Sequence, residues 1–291
     1  MEKLTDIGVI KELLTRHGFT FSKALGQNFL INPSVCPRMA DDAVRGENVG
    51  VLEIGPGIGV LTNELLKRAK RVVAVELDKR LLPVLGETLS GYDNLRVINA
   101  DVLALDLRRL IEEEFGGMEV TVCANLPYYI TSPVIMKLLE ERLPIRSVTV
   151  MVQKEAAVRL CALPGTRDSS AITAVVRYYC EPELLFHVSA GSFMPAPRVD
   201  SAVIRLTLHE PAVHPRDEKL FFRVIRGAFS QRRKTVLNSL SSSLGLDKQA
   251  LRAILDTAGV DVSARAERLT PEDFAAISDA IGSFAETEGS K

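Results

Sequence analysis

Four consecutive residues, Asn125-Leu126-Pro127-Tyr128, combine a side-chain amide, a backbone carbonyl, a stiff turn and an aromatic face. The apolar VTVCA run before them reads as a buried strand, so the tetrapeptide falls at a strand's carboxyl end, where α/β sheets place their sites. These groups suit transfer to an amine on an aromatic ring. The lone pair of such an amine, adenine N6 for example, is delocalised into the ring. Acceptors must hold its hydrogens before the lone pair can turn toward an electrophile. The Asn125 side-chain oxygen and the Leu126 carbonyl are such acceptors, Pro127 fixes the turn, and Tyr128 offers a face for a base to stack on. The work is positioning and desolvation rather than strong general-base catalysis. Elsewhere an Asn-x-Pro string is an ordinary strand exit; here its place at the end of the strand favours chemistry. Phe193, in GSFMPAPRVDS, lies among small residues with Pro195 and Pro197 close by. On a Pro-ordered loop it can close on the other face of the base, although a lone Phe is more often core.

Gly55-Pro56-Gly57-Ile58-Gly59 links a strand-like run, VGVLEI, to a helix-like run, VLTNELLKRAK. Glycines there let a ligand approach the backbone at a helix N-terminus. A plain tight turn would use the same residues. Glu76, ending the next strand, sits where a carboxylate accepts from a ribose diol. The third glycine comes one residue too early for the dinucleotide fingerprint G-x-G-x-x-G, because Val60 occupies that position, and no G-K-[ST] follows as a P-loop needs. Asp101 ends the third strand, where a carboxylate can take a proton from an adenine amino group or merely cap the following segment. The string E-x-G-x-G-x-G resembles the nucleoside-binding loop of S-adenosylmethionine-dependent methyltransferases.

The elements that must position these residues are legible as a rhythm. Residues 7–17 have helical spacing and end at Gly18. From residue 49 onward, continuous apolar runs (VGVLEIG, RVVAVELD, LRVINAD, VTVCANL, SVTVMVQ) alternate with helix-length segments, as in a parallel sheet covered on both faces. SAITAVVRYYCEPELLFHVSAGSFMPAPRVDSAVIRLTL reads as strand throughout, with late strands paired antiparallel at a sheet edge. HEPAVHPRDE marks a boundary near residue 210. The expected organisation is a Rossmann-like α/β domain over 1–210, with an N-terminal helical segment over 1–48, and a smaller all-α domain over 211–291. Four helices are expected in the latter: FFRVIRGAF, RRKTVLNSLSSSL, DKQALRAILDTAG and PEDFAAISDAIGSF, with Pro271 in a first turn and Gly259 past a helix end.

The chain has 291 residues, 46% of them hydrophobic and 25% charged, with a net charge of −1, which excludes a disordered chain. Cys36, Cys123, Cys161 and Cys180 lack metal-ligand spacing. The start has no apolar core of a secretory signal, and no run is long enough to span a membrane, so a cytoplasmic location is expected. Charge is nonetheless uneven. From Pro197 to Arg252, eleven Lys and Arg stand against five Asp and Glu, a local net of +6. Arg223 and Arg226 share a helical face, and Arg232, Arg233 and Lys234 follow. Such a patch is either a solvated surface or a track for phosphates.

Taken together, KALGQNFLIN (23–32), VLEIGPGIGVLT (51–62), VVAVELD (72–78), NADVL (99–103), NLPYYITSP (125–133), FMPAPRVDSAV (193–203) and FSQRRKTVLNSL (229–240) resemble the ribosomal RNA adenine N6-dimethyltransferase family, and its 16S-directed branch above all. The resemblance implies S-adenosylmethionine as cofactor. Asn28 and Leu30 then close over it, Gly55 and Glu76 hold its methionine and ribose portions, Asp101 holds its adenine, and Asn125 bridges cofactor and target amine. It also implies Tyr128 and Phe193 as the clamp on the flipped base. The expected substrate is two adjacent adenosines in the 3′-terminal hairpin of 16S rRNA in an immature small subunit, with the protein acting as a monomer. Arg167-Asp168-Ser169-Ser170 departs from the family, whose members commonly carry an aromatic-Gly pair there. The alternatives are a 23S rRNA adenine N6-methyltransferase, a non-catalytic ribosome assembly factor of the same fold, and a dehydrogenase, against which the glycine spacing speaks.

Overall fold

The computed structural model describes residues 4–20 and 27–289; Lys23 to Gly26 of the KALGQNFLIN motif lie outside them. In chain order the elements are α1 (Ile7–Arg16), β1 (Phe29–Leu30), α2 (Val35–Ala43), β2 (Val49–Ile54), α3 (Val60–Leu66), β3 (Arg71–Glu76), α4 (Leu82–Thr88), β4 (Leu95–Asn99), α5 (Leu107–Phe115), β5 (Glu119–Asn125), α6 (Thr131–Glu140) and β6 (Ser147–Gln153). They are followed by α7 (Lys154–Cys161), α8 (Ala171–Tyr179), β7 (Cys180–Val188), β8 (Phe193–Met194) and β9 (Ser201–Leu208), then α9 (Glu218–Ala228), α10 (Val236–Leu244), α11 (Lys248–Thr257) and α12 (Pro271–Gly289).

Among the described residues, seven strands form one sheet in the order β4-β3-β2-β5-β6-β9-β7. β4, β3, β2, β5 and β6 pair in parallel, and β9 runs antiparallel to β6 with Ser147 opposite Thr207 and Gln153 opposite Ser201. From β2 the chain winds outward to β3 and β4, then returns to place β5 on the other side of β2. That reversal opens a crevice beyond the strands' carboxyl ends, the usual ligand site of such sheets. All six residues of β2 are buried, so both faces of the sheet are covered there. Gly50 on β2 is obligatory for packing: a Cβ would stand 2.3 Å from the Phe115 ring at the end of α5. β4 departs from the expected double-faced burial. It is the edge strand, and Leu95, Val97 and Ile98 are only partly buried.

The chain divides into two compact units, 1–157 with 183–208, and 158–182 with 209–291. One division falls between residues 208 and 209, and residues 158–182 also belong to the second unit. Within that segment the strand expected from residue 170 onward is instead α8. Its apolar residues Val175, Val176 and Tyr179 recur at helical spacing, and the Ser170 N–H donates to Thr173 Oγ1 at the N-terminus (3.0 Å). β-branched content suggests a strand, but cap and packing outweigh that propensity. α8 carries Tyr178 and Tyr179 into an aromatic cluster with Phe221 and Phe222 of α9, ring centroids 4.9–5.7 Å apart. α10 is also shorter than expected. Thr235 caps it by accepting from the Asn238 N–H, which leaves Arg232, Arg233 and Lys234 in the preceding turn. Thr270 and Asp273 cap each other at the start of α12, and Gly259 follows α11 with φ +70°, as the helix-end rules require.

Candidate active site

The β2–α3 turn uses its glycines for left-handed backbone: φ is +70° at Gly55, +61° at Gly57 and +90° at Gly59. A Cβ on Gly55 would meet no protein atom, so that residue opens the backbone to the cavity it lines, whereas one on Gly59 would press on Leu89 at 3.1 Å. Glu76, at the end of the neighbouring β3, ties the turn down. Its Oε2 accepts from the Gly57 N–H (3.2 Å) and its Oε1 from the Asp78 N–H (2.8 Å). Burial raises the Glu76 carboxyl above the usual carboxylate range, and those N–H groups pull it partly back.

Asp78 is a positioning residue that the sequence motifs do not single out. The Arg80 guanidinium beside it, with help from Gln27, holds its carboxyl down at about 2. Gln27 Nε2 donates to Asp78 Oδ2 (2.9 Å), which joins the QNF segment to the end of β3. Its only signal in the sequence is its place two residues after Glu76 in VELD. A second anchor is the antiparallel ribbon of β1 and β8, with Phe29 opposite Met194 and Leu30 opposite Phe193. Phe193 therefore lies on a short strand rather than in a loop. It is both things the sequence allows, a buried core side chain and a wall of the cavity.

Asp101 does act locally, accepting from the Leu103 N–H (2.9 Å), and it also lines the cavity. Asn125 is the last residue of β5, and Leu126 follows it into the turn, its N–H donating to the Met151 carbonyl (3.3 Å). The Tyr128 hydroxyl and the Ser201 hydroxyl of β9 are 2.8 Å apart. That contact holds the ring, and burial raises the phenol above its ordinary value. Asn28, Leu30, Gly55, Glu76, Asp101, Asn125, Leu126, Tyr128 and Phe193, which the sequence spreads over some 165 residues, all line this one cavity. Tyr129 lines it too, 53% exposed at its rim; the N-x-P-aromatic string points only to its neighbour, so the motif gives no sign of it. The five cations singled out in the sequence belong to the second unit. Arg223 and Arg226 are exposed on α9, Arg233 and Lys234 are exposed in the turn, and Arg232 donates to the Arg167 carbonyl (2.6 Å). That bond ties down the loop in which the sequence departs from the family pattern.

Glu53, the acid of E-x-G-x-G-x-G, lies fully buried on β2 between Ala74 and Cys123. Neither carboxyl oxygen has a hydrogen-bond partner among the described residues, and burial pushes its pKa up to about 8, with the nearby Thr62 hydroxyl opposing. Thr62 lies outside hydrogen-bonding geometry, so desolvation decides and the group is a neutral acid at pH 7. The same burial raises the thiols of Cys36 and Cys123, which marks them as packed rather than reactive.

A glycine turn opening into a cavity, a carboxylate at the end of each of two adjacent strands and an Asn-Pro-Tyr exit on the strand across the reversal define a Rossmann-like methyltransferase. The model of the ribosomal RNA adenine dimethylase family matches residues 18–282, and the chain belongs to that family. It is 51% identical over 279 residues to ribosomal RNA small subunit methyltransferase A of Geobacillus thermodenitrificans, covering 94% of this chain and 95% of that protein. It is 49% identical to the protein of the same name from Bacillus cytotoxicus, covering 93% and 94%. Among solved structures, a dimethyladenosine transferase from Plasmodium falciparum superposes with a TM-score of 0.71 at 27% identity, covering 89% of this chain and 98% of that one. The 23S rRNA methyltransferase ErmE superposes at 0.66 with 30% identity, covering 88% and 100%.

Proposed function

We propose that this protein transfers methyl groups from S-adenosylmethionine to N6 of adenine in small-subunit ribosomal RNA, two per base, on the adjacent adenosines of the 16S 3′-terminal hairpin. The observation that carries this reading is the single cavity in which the glycine turn and its two carboxylates meet Asn125 to Tyr128. The donor set fits the cofactor. Gly55 leaves room where any side chain would intrude, Glu76 and Asp101 are acceptors suited to ribose hydroxyls and an adenine amino group, and Leu30 and Val102 give apolar walls. When bound, S-adenosylmethionine supplies an electrophilic methyl on a sulfonium.

The remaining work belongs to the chain's own residues. Tyr128, fixed through Ser201, and Phe193 take the base between them once it leaves its stack. The Asn125 side-chain oxygen and the Leu126 carbonyl accept the N6 hydrogens and free the lone pair from the ring. The methylated amine is a strong acid, so its proton passes to solvent without a dedicated base, and the neutral monomethylated amine can repeat the cycle. The high identity to small-subunit enzymes supports 16S rRNA over 23S rRNA as the substrate. An immature subunit as partner, a monomeric protein and a cytoplasmic location belong to the same proposal. Among the described residues no helix is long and apolar enough to cross a membrane.

The test incubates small subunits from cells lacking the modification with labelled cofactor and resolves the RNA nucleosides by mass spectrometry. Label in N6,N6-dimethyladenosine, reduced about a hundredfold or more by N125A, is expected. Label only in large-subunit RNA would mean a 23S enzyme, and binding without transfer an assembly factor.

A further inference from the structure

The first unit holds a second, polar hollow of about 380 Å³, walled by Arg38, Lys154 and His187 around a floor of hydroxyl and amide groups. That is within the size range of small-ligand sites, about 300–1,000 Å³. It adjoins the base cavity through the β1–β8 ribbon. Ser192 lines the hollow and Phe193, next in sequence, lines the cavity; likewise Asn32 lines one and Leu30 the other. The floor is ordered, with Asn32 Nδ2 donating to Ser192 Oγ (3.2 Å) and the Ser189 and Ser192 hydroxyls 3.3 Å apart. Arg38 is set in place by its guanidinium carbon, 3.7 Å above the centre of the Phe186 ring. A stacked guanidinium keeps its edge N–H groups for a bidentate acceptor.

Among the described residues, the cations of the hollow are not engaged by carboxylates of the protein. Arg16, Arg45, Arg68, Arg71, Arg80, Arg96, Arg109, Arg146 and Arg205 of this unit are held in ion pairs. Arg38 and Lys154 form none among the described residues. The one carboxylate of the hollow, Asp200, already accepts the Ala190 N–H (2.9 Å).

We infer that this hollow binds a phosphate group of the RNA strand flanking the adenine held in the first cavity. This rests on the proposed function, since the strand must deliver its base past the same ribbon. Arg38 clamps the phosphate oxygens, Lys154 and His187 add donors, and the hydroxyl floor takes what remains. A second hold on the backbone, one wall away from the clamp, fixes the strand while the base is turned out.

The test uses the full-length protein and a fluorescent single-stranded RNA of the 16S 3′-end sequence, with affinity read by anisotropy at a series of salt concentrations. R38A/H187A is expected to bind about tenfold more weakly, with the slope of log K against log salt shallower by about 0.7, the value for one neutralised phosphate on a single strand. Affinity for S-adenosylhomocysteine, measured on the same preparations, should be unchanged; if the double variant unfolds, R38Q alone replaces it. Methyl transfer to small subunits is measured in parallel, where a raised KM with kcat preserved is expected. Unchanged RNA affinity, slope and KM in a variant whose wild type transfers methyl would overturn the phosphate site and leave the function standing. Arg38-dependent RNA binding by a wild type that transfers no methyl would do the reverse. No RNA binding by the wild type would overturn both.

Discussion

Tyr128 and Glu53 are polar groups whose surroundings assign them different work. In the proposed mechanism the Tyr128 ring is the surface for the base, while its hydroxyl is the anchor to Ser201. Y128A should therefore lose about 1–3 kcal/mol of stacking, roughly five- to a hundredfold in kcat/KM. Y128F and S201A, which keep the ring, should stay within a few-fold, and steady-state kinetics on the three variants separates the two contributions. Glu53 is tested through pH. With its folded pKa raised to about 8, the native state holds a proton that the unfolded chain releases above its ordinary value of about 4.3. The stability this proton supports is fully present below the unfolded value and fades as pH rises toward 8. E53Q, which carries no charge at any pH, should match the wild type near pH 5 and exceed it by a few kcal/mol near pH 9. Urea unfolding at both pH values decides, and equal pH dependence in the two proteins would show that Glu53 is not the buried acid described above.

At the scale of elements, close approach matters most where β2 meets α5. Gly50 has no room for even a methyl group against Phe115, so G50A should cost about 1–3 kcal/mol, measured by denaturant unfolding, with no change in cofactor affinity at the cavity. The parallel strands and the glycine turn are legible in the sequence because local patterns carry them: continuous apolar runs, a glycine at each left-handed residue of the turn, and the acids Glu76 and Asp101 at or just past the ends of β3 and β4. α8 is not, since Ala171 to Tyr179 is rich in β-branched and aromatic side chains and only its packing against α9 reveals the helical period. Nor is the ribbon, because Leu30 and Phe193 come together across 162 intervening residues and each strand is two residues long. The bonds that tune the site, Gln27 to Asp78 and Tyr128 to Ser201, are likewise products of tertiary placement.

For the whole molecule, the balance of charge conceals segregation. The second unit holds fifteen Lys and Arg against fourteen Asp and Glu, yet beyond Arg252 the acids lead eight to three. Its positive charge is thus concentrated before that point, where Arg223 and Arg226 stand exposed on α9. Removing both side chains in R223A/R226A should weaken RNA binding and flatten its salt dependence by about 0.7 for each phosphate no longer neutralised, with cofactor affinity unchanged; an unaltered slope would make this face ordinary solvated surface.

The interleaving of the two units carries a consequence for biosynthesis. A chain emerging in order from its N-terminus offers all five parallel strands by residue 153, then delivers residues 158–182, whose Tyr178 and Tyr179 need α9 before they are covered. Only afterwards come β8, which completes the ribbon over the cavity, and β9, which inserts beside β6 and brings Ser201 to Tyr128. The site is finished by some of the last strands made, and the first unit cannot close before part of the second is already outside the ribosome. Domain-by-domain maturation is therefore closed to this chain, and a nascent protein halted at residue 190 would have its glycine turn, Asn125 and Tyr128, but neither Phe193 opposite Leu30 nor the Ser201 hydroxyl that holds the Tyr128 ring.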